Sequence, residues 1–349
     1  MPRLDLHAQT LWITAAATQH PGELTTVLMA RTGASRSACS AALGRLVDLN
    51  WLARGGTKQK PLYRPGLLRQ VVRRYPLAGL SEDLPWSRDF APFFALPREV
   101  ARMTQHAFGE LLNNAIDHSE GSHATVSLRQ TPSHVQLLVS DDGRGVFDKL
   151  QEAFDLGDPH IAMLELSKGK LTSQPARHSG RGLFFTSRLA DVFDLHANAA
   201  AFQRRDWEAQ IGQDRSNGSG WKPGRAMPRQ GTSVYFGLAL DTPRTLESVL
   251  HAHSVDGCSF GFDHTVVPLR LLASDMASLE SRAQARRVAS RLGQFRRAEV
   301  DFSGVPHIGH SFADELFRVL APQNAAVDIV PINMAPRVAA MLAAVQAGA

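Results

Sequence analysis

The sequence predicts a multidomain α/β protein, and three observations carry that expectation. At 349 residues it exceeds one ordinary domain. Its local patterns change twice: short helices end in a basic hairpin, a long helix then feeds apolar strands, and strands finally alternate with helices. Charge is also unevenly divided. Residues 1–75 carry eleven Lys and Arg against Asp5, Glu23 and Asp48, while the remainder is slightly acidic within a net charge of +5. A basic module on an acidic body points to a polyanionic partner for the first part.

Composition narrows the class. A hydrophobic fraction of 44% and a charged fraction of 20% suit a soluble protein with real cores. No run approaches the roughly 18 apolar residues of a membrane span, so no membrane association is expected. The short apolar run Leu11–Ala17 behind Arg3 lacks a cleavage site, and a cytoplasmic location is the expectation. Cys39 and Cys258 are far apart with no metal spacing and read as two reduced core thiols.

Residues 1–77 open with a short helix, Thr10–Thr18, broken by Pro21-Gly22. A second, Glu23–Arg31, closes at Thr32-Gly33, and a third starts at Ser35 with Ala38, Ala41, Leu43, Leu46 and Leu49 on one face. Two strand-like pieces around Gly55-Gly56 follow, with basic residues at the tip. Three helices and a basic hairpin resemble a winged helix-turn-helix domain. The resemblance implies DNA binding, with Ser35, Arg36 and Ser37 entering a major groove and Lys58 and Lys60 touching phosphate. The same shape also serves protein docking, in which case the charge is a solvated face. Residues 78–91, rich in Pro and aromatics, read as a linker packed against something.

Residues 92–242 hold the chemistry. One helix carries Glu110 and Asn114 at i and i+4, with Asp117 and His118 a turn further on. Such a pair either forms an ordinary solvent face or serves one site, the amide holding Mg²⁺ and the carboxylate orienting or deprotonating a nucleophile. Strands at 124–129 and 134–139 lead into SDDGRGV, where Asp141 is a buried acceptor able to take an adenine amine and Gly143 and Gly145 let backbone approach the base. After a long polar loop, Gly180 and Gly182 directly precede an apolar helix, a start suited to phosphates. Gly231-Thr232 then begins a terminal strand.

These pieces, in this order, resemble the N, G1, G2 and G3 boxes of the GHKL superfamily, over roughly 150 residues. The resemblance implies a Bergerat-fold α/β sandwich binding ATP and Mg²⁺. It makes Glu110 the general base, Asn114 the Mg²⁺ ligand, Asp141 the adenine reader and Gly143 and Gly145 its supporting turn. Gly180 and Gly182 become the phosphate turn, and Thr232 a residue near the adenine and Asp141. The loop 146–179 takes the place of the ATP lid, where Lys168 and Lys170 either approach the γ-phosphate or are solubility charges. Histidine kinases usually carry Asn where this chain has Glu110, and no phosphoacceptor hairpin precedes the pocket. His106, one turn before Glu110, is too close to be an external acceptor.

Residues 245–349 alternate strand 262–271, helix 277–292, strand 298–302, helix 311–320, strand 326–330 and an Ala-rich helix 335–345, a small α/β domain. DFSGVPHIGHSF resembles the STAS-like domains fused behind such ATPases, and SRAQARRVASRL fits the same family. In anti-sigma-factor antagonists the phosphoaccepting serine falls at Ser311. Here Gly309-His310 and Phe312 depart from that pattern, and Ser311 reads equally as an N-cap. A loop at 215–225 reads as a hairpin tip.

The leading expectation is a nucleotide-responsive, DNA-binding transcriptional regulator with a protein partner at its STAS-like domain, a homodimer remaining an option. The alternatives are an anti-sigma-type serine/threonine kinase acting on Ser311 or a partner, and a GHKL conformational ATPase.

Overall fold

A computed structural model describes residues 4–81, 83–172, 179–206, 220–272 and 279–347. The chain divides into two units, Met1–Gly143 with Tyr235–Pro243, and Arg144–Val234 with Arg244–Ala349.

The first unit opens with α1 (Leu6–Thr10), α2 (Ile13–Gln19), α3 (Leu24–Thr32) and α4 (Arg36–Asp48). The single helix expected at 10–18 is therefore two. Asp5 caps α1 by accepting from His7 and Ala8 N–H, and the chain turns at Leu11-Trp12 before α2 begins. Gly33, at φ 68°, ends α3. Ser35 starts α4 by accepting from Ala38 N–H at 3.3 Å. Trp12, Ile13, Leu24, Leu28, Cys39, Leu43 and Leu46 form a core with Trp51, Leu52 and Tyr63. The last two belong to an antiparallel hairpin, β1 (Leu52–Gly56) and β2 (Pro61–Pro65).

The next strand corrects the boundary at 77. β3 (Arg69–Pro76) pairs antiparallel with β4 (His123–Gln130), from Arg69 opposite Gln130 to Pro76 opposite His123, and β4 pairs with β5 (His134–Asp141). The first module thus runs into the sheet of the next without a break. The expected linker is helical over Pro85–Phe90 and Ala91–Phe93. Its Trp86 and Phe90 rings sit 5.3 and 5.1 Å from Phe108. Phe108 lies on α5 (Arg98–His118), which buries Val100, Met103, Ala107, Leu111 and Ala115 along one stripe.

The second unit begins with α6 (Val146–Phe154) and α7 (Pro159–Lys168), so the expected polar loop 146–179 is largely helical; residues 173–178 lie outside those described. α8 (Gly182–Leu189) precedes an antiparallel set, β6 (Val192–Asn198), β7 (Ala200–Arg205) and β8 (Trp221–Pro223). The expected hairpin tip lies outside the described residues over 215–219. β9 (Arg229–Ala239) spans the division, Val234 falling in the second unit and Tyr235 in the first.

After α9 (Leu246–His251), the expected alternation holds. β10 (His264–Pro268), β11 (Arg297–Asp301) and β12 (Asp328–Ile332) form a parallel sheet. Around it lie α10 (Arg282–Ala289), the run α11 (His310–Ala313), π-helical Asp314–Leu320 and α12 (Ala321–Gln323), and finally α13 (Pro336–Ala347). Parallel strands need crossovers, and the helices supply them. Cys39 is buried as expected, but Cys258 is exposed, in a turn outside any core. Among the described residues no helix is long and apolar enough to cross a membrane.

Candidate functional site

In the first unit Glu110 and Asn114 lie half-buried on α5, beside the stripe that anchors the helix. Their spacing places them one turn apart on one face, as the sequence implied. His106, a turn earlier, is pushed down by burial, although Glu110 pulls it the other way. Its Nε2 has no hydrogen-bond partner among the described residues. A neutral imidazole there adds no competing charge beside Glu110.

Of the neighbouring pair Asp141 and Asp142, the structure separates the roles. Asp141 closes β5, is 7% exposed, and accepts from Gly143 N–H at 3.0 Å. Asp142 points the other way. It accepts from His123 N–H at 2.9 Å, from Ser122 N–H at 2.8 Å and from the Ser122 hydroxyl at 2.8 Å. Those bonds, His123's first, hold its carboxyl down to about 2. The stability this adds is present above the ordinary carboxylate range and is lost as pH falls toward 2. Asp142 is thus a brace for the start of β4, and Asp141 is the carboxylate that closes β5 at the turn. Gly143 packs tightly on the end of α5: a Cβ there would come within 2.8 Å of the Ser119 Cβ.

In the second unit Gly145 precedes α6 and lies against Asn198, whose Nδ2 donates to Arg144 O at 2.8 Å and to Asp148 Oδ2 at 2.6 Å. Asn198 Oδ1 accepts from Gly231 N–H at 3.1 Å. Thr232 Oγ1 accepts from Val146 N–H at 3.0 Å. One asparagine therefore ties both glycine turns together. Sequence reading missed it, although an Asn between two strands, here at φ 50°, is the residue type that tolerates such a turn.

Gly180 adopts φ 65°, and a Cβ on it would fall 2.6 Å from the backbone N and C of Leu171. A side chain there would force the turn away from the segment behind it. Gly182 opens α8, and among the described residues no side chain caps that N-terminus. Unpaired N–H groups at such a start suit an anion. The far end of α8 is pinned by buried Arg204, which donates to Ser187 O at 2.9 Å and Ala190 O at 3.3 Å.

The lid lysines are elsewhere than expected. Lys168 is fully buried and donates to Glu165 Oε1 at 2.6 Å, Arg287 O at 3.0 Å and Ser290 O at 2.9 Å. All three ammonium donors are used, and burial pushes the group down. Lys170 donates to Gln294 O and lies 4.3 Å from the centroid of the Phe295 ring. In this structure Lys168 is not free to meet a γ-phosphate, and its burial corrects that expectation, whereas Lys170 is half-buried with its ammonium on Gln294 O.

Residues 85–201 match the Histidine kinase-like ATPase domain family. That span starts within the expected linker and takes in Glu110, Asn114, Asp141, Gly143, Gly145, Gly180 and Gly182. Residues 284–339 match the STAS-like domain of unknown function (DUF4325). The chain therefore carries a histidine kinase-like ATPase domain and a STAS-like domain, a pairing that supports an ATP-binding regulatory protein. No curated protein matches the sequence significantly.

Each unit holds features of a kind suited to a nucleotide: in the first, a buried carboxylate at a glycine turn, and in the second, a left-handed glycine ahead of a helix start. Among the described residues no group of three or more His, Cys, Asp or Glu is placed to hold a metal. Ser311 is exposed at the second position of α11, and Gly309, not Ser311, is the N-cap. The N-cap reading of Ser311 is thereby corrected, and its hydroxyl is accessible.

Proposed function

We propose that the protein is an ATP-binding regulator whose ATPase-type domain takes ATP·Mg²⁺ and whose terminal modules read the result out to DNA and to a protein partner. The observation that carries this is the Asp141 turn: a buried carboxylate oriented by Gly143, within a stretch matching an ATPase domain. In this reading Asp141 accepts the adenine amine and Gly143 permits the base to approach. Asn114 holds Mg²⁺ through its amide oxygen, N–H groups at Gly180–Gly182 bind phosphate, and Thr232 stays beside the G1 turn through Val146. Bound ATP would supply a transferable γ-phosphoryl group, and Glu110 would orient or deprotonate whatever accepts it.

The test is titration of the full chain with ATP·Mg²⁺, followed by phosphate release and mass spectrometry. Saturable binding with neither turnover nor labelling supports the regulator. Phosphate release that disappears in Glu110→Ala replaces it with an ATPase. A covalent phosphate that disappears in Ser311→Ala replaces it with a kinase, the reading that the exposure of Ser311 favours. No saturable binding removes the whole proposal.

For the N-terminal module, support for DNA binding comes from the order of helices and hairpin and from exposed Arg36, Ser37, Lys58 and Lys60. The two lysines flank a turn in which Lys60 N–H donates to Thr57 Oγ1 at 3.1 Å, which presents them at the hairpin tip. Ser35 contributes as the cap of α4. Affinity for duplex DNA should fall steeply with salt, and Lys58→Ala with Lys60→Ala should flatten the log–log slope by roughly two. An unchanged slope removes the hairpin from the interface.

A further inference from the structure

Residues 168–171, the last residue of α7 and the three that follow it, touch two things at once. On one side they are fastened to the C-terminal domain. Lys168 spends its ammonium on Arg287 O and Ser290 O, at the C-terminal end of α10, where unpaired carbonyls and the helix dipole concentrate negative charge. Arg291 completes the fastening: it donates to Glu165 Oε2 at 2.9 Å and to Gly169 O at 3.1 Å. Thr265 of β10 donates its hydroxyl to Lys168 O at 2.8 Å.

On the other side the same strap supports the phosphate turn. Leu171 backbone is the surface against which Gly180 closes. Phe262 bridges the two sides: it occupies the space beside Gly169 and packs its ring 4.6 Å from Phe184 and 5.0 Å from Phe185 of α8. The helix that would bind phosphate at its start and the strap behind its glycine turn therefore share one aromatic contact.

We propose that residues 168–171 make the STAS-like domain the reporter of nucleotide occupancy. The proposal rests on the ATP reading given above. Phosphate seated at Gly180–Gly182 loads the turn against Leu171. The strap passes that load to α10, because a buried ammonium with three acceptors cannot be stretched gradually: it is held or it is released. Such a linkage needs no free lid, and it explains why Lys168 is buried against another domain.

The experiment is amide hydrogen–deuterium exchange on the full chain, with and without a non-hydrolysable ATP analogue and Mg²⁺, read over peptides covering 282–296. Nucleotide titration is run on the same samples. In the native protein exchange across α10 should change about fivefold or more on saturation, the lower range of ordinary coupling. In Lys168→Met the analogue should still bind while that change disappears. Should this variant fail to fold, Lys170→Ala, which removes the bond to Gln294 O and the contacts with the Phe262 and Phe295 rings, should shrink the change instead. Binding without any change over 282–296, or a full change in both variants, overturns the proposal. Absence of binding in the native protein is a different failure, of the ATP reading itself, and takes the proposal with it.

Discussion

Asp141→Asn should lower ATP affinity roughly 10- to 100-fold, the loss expected when a charge-assisted hydrogen bond becomes a neutral one. The carboxylate is 7% exposed, and one oxygen is already held by Gly143 N–H, so its direction is fixed before a base arrives. An amide in its place turns half of an acceptor-only group into a donor, which meets either the Gly143 N–H or the adenine amine with the wrong polarity. ATP and ADP share the base and should weaken by similar factors. On the proposed reading, in which Asn114 holds Mg²⁺, its loss would instead act mainly through the phosphates. Calorimetric titration with both nucleotides measures this. An unchanged dissociation constant, with thermal unfolding of the free variant also unchanged, would take the adenine-reading role from this residue.

Lys168→Met should destabilise the protein by about 3 kcal/mol, the lower end of the cost of breaking a buried ion pair. Methionine fills similar space, so little of the loss comes from a cavity. It comes from the groups left behind: among the described residues Glu165 keeps Arg291, and the Arg287 and Ser290 carbonyls lose the Lys168 donor. The retained Arg291 contact is why the higher end of that range is not expected. Lys58→Met, at an exposed position, is the control and should change stability by less than about 0.5 kcal/mol. Urea unfolding of both variants decides it; a loss below about 1 kcal/mol at Lys168 would mean that water reaches this site and carries the charge.

These two residues also show what could be read from sequence. The burial of Asp141 at a turn was legible because its context is local: an apolar strand, a carboxylate at its end, then glycines. The Glu110–Asn114 pair was legible for the same reason, since helical periodicity fixes which residues share a face. α7 was not legible. Ile161, Ala162, Met163 and Leu164 are all buried, together with Glu165, because neighbouring segments cover several sides of this part of the helix. A stretch so covered has no polar face and hence no 3.6-residue signature. Its start was marked by Asp158, which caps His160 and Ile161, and by Pro159, yet such a signal cannot tell a helix from a turn. Lys168 reads as a surface charge in any local window, and only acceptors more than a hundred residues away reverse that. β3 failed for a related reason. Its residues were legible as part of the N-terminal module, but the partner strand, β4, is decided by pairing fifty residues later.

The docking of α7 bears on how this protein can be divided for study. A fragment ending near 243 would carry the whole ATPase match, 85–201, yet would strip Arg287, Ser290 and Arg291 from the Lys168–Glu165 pair. It would also uncover the apolar run 161–164 of that helix, the kind of surface that drives chains to aggregate. Insolubility of such a fragment would then report a severed internal seam, and would carry no information about whether the intact chain binds its nucleotide.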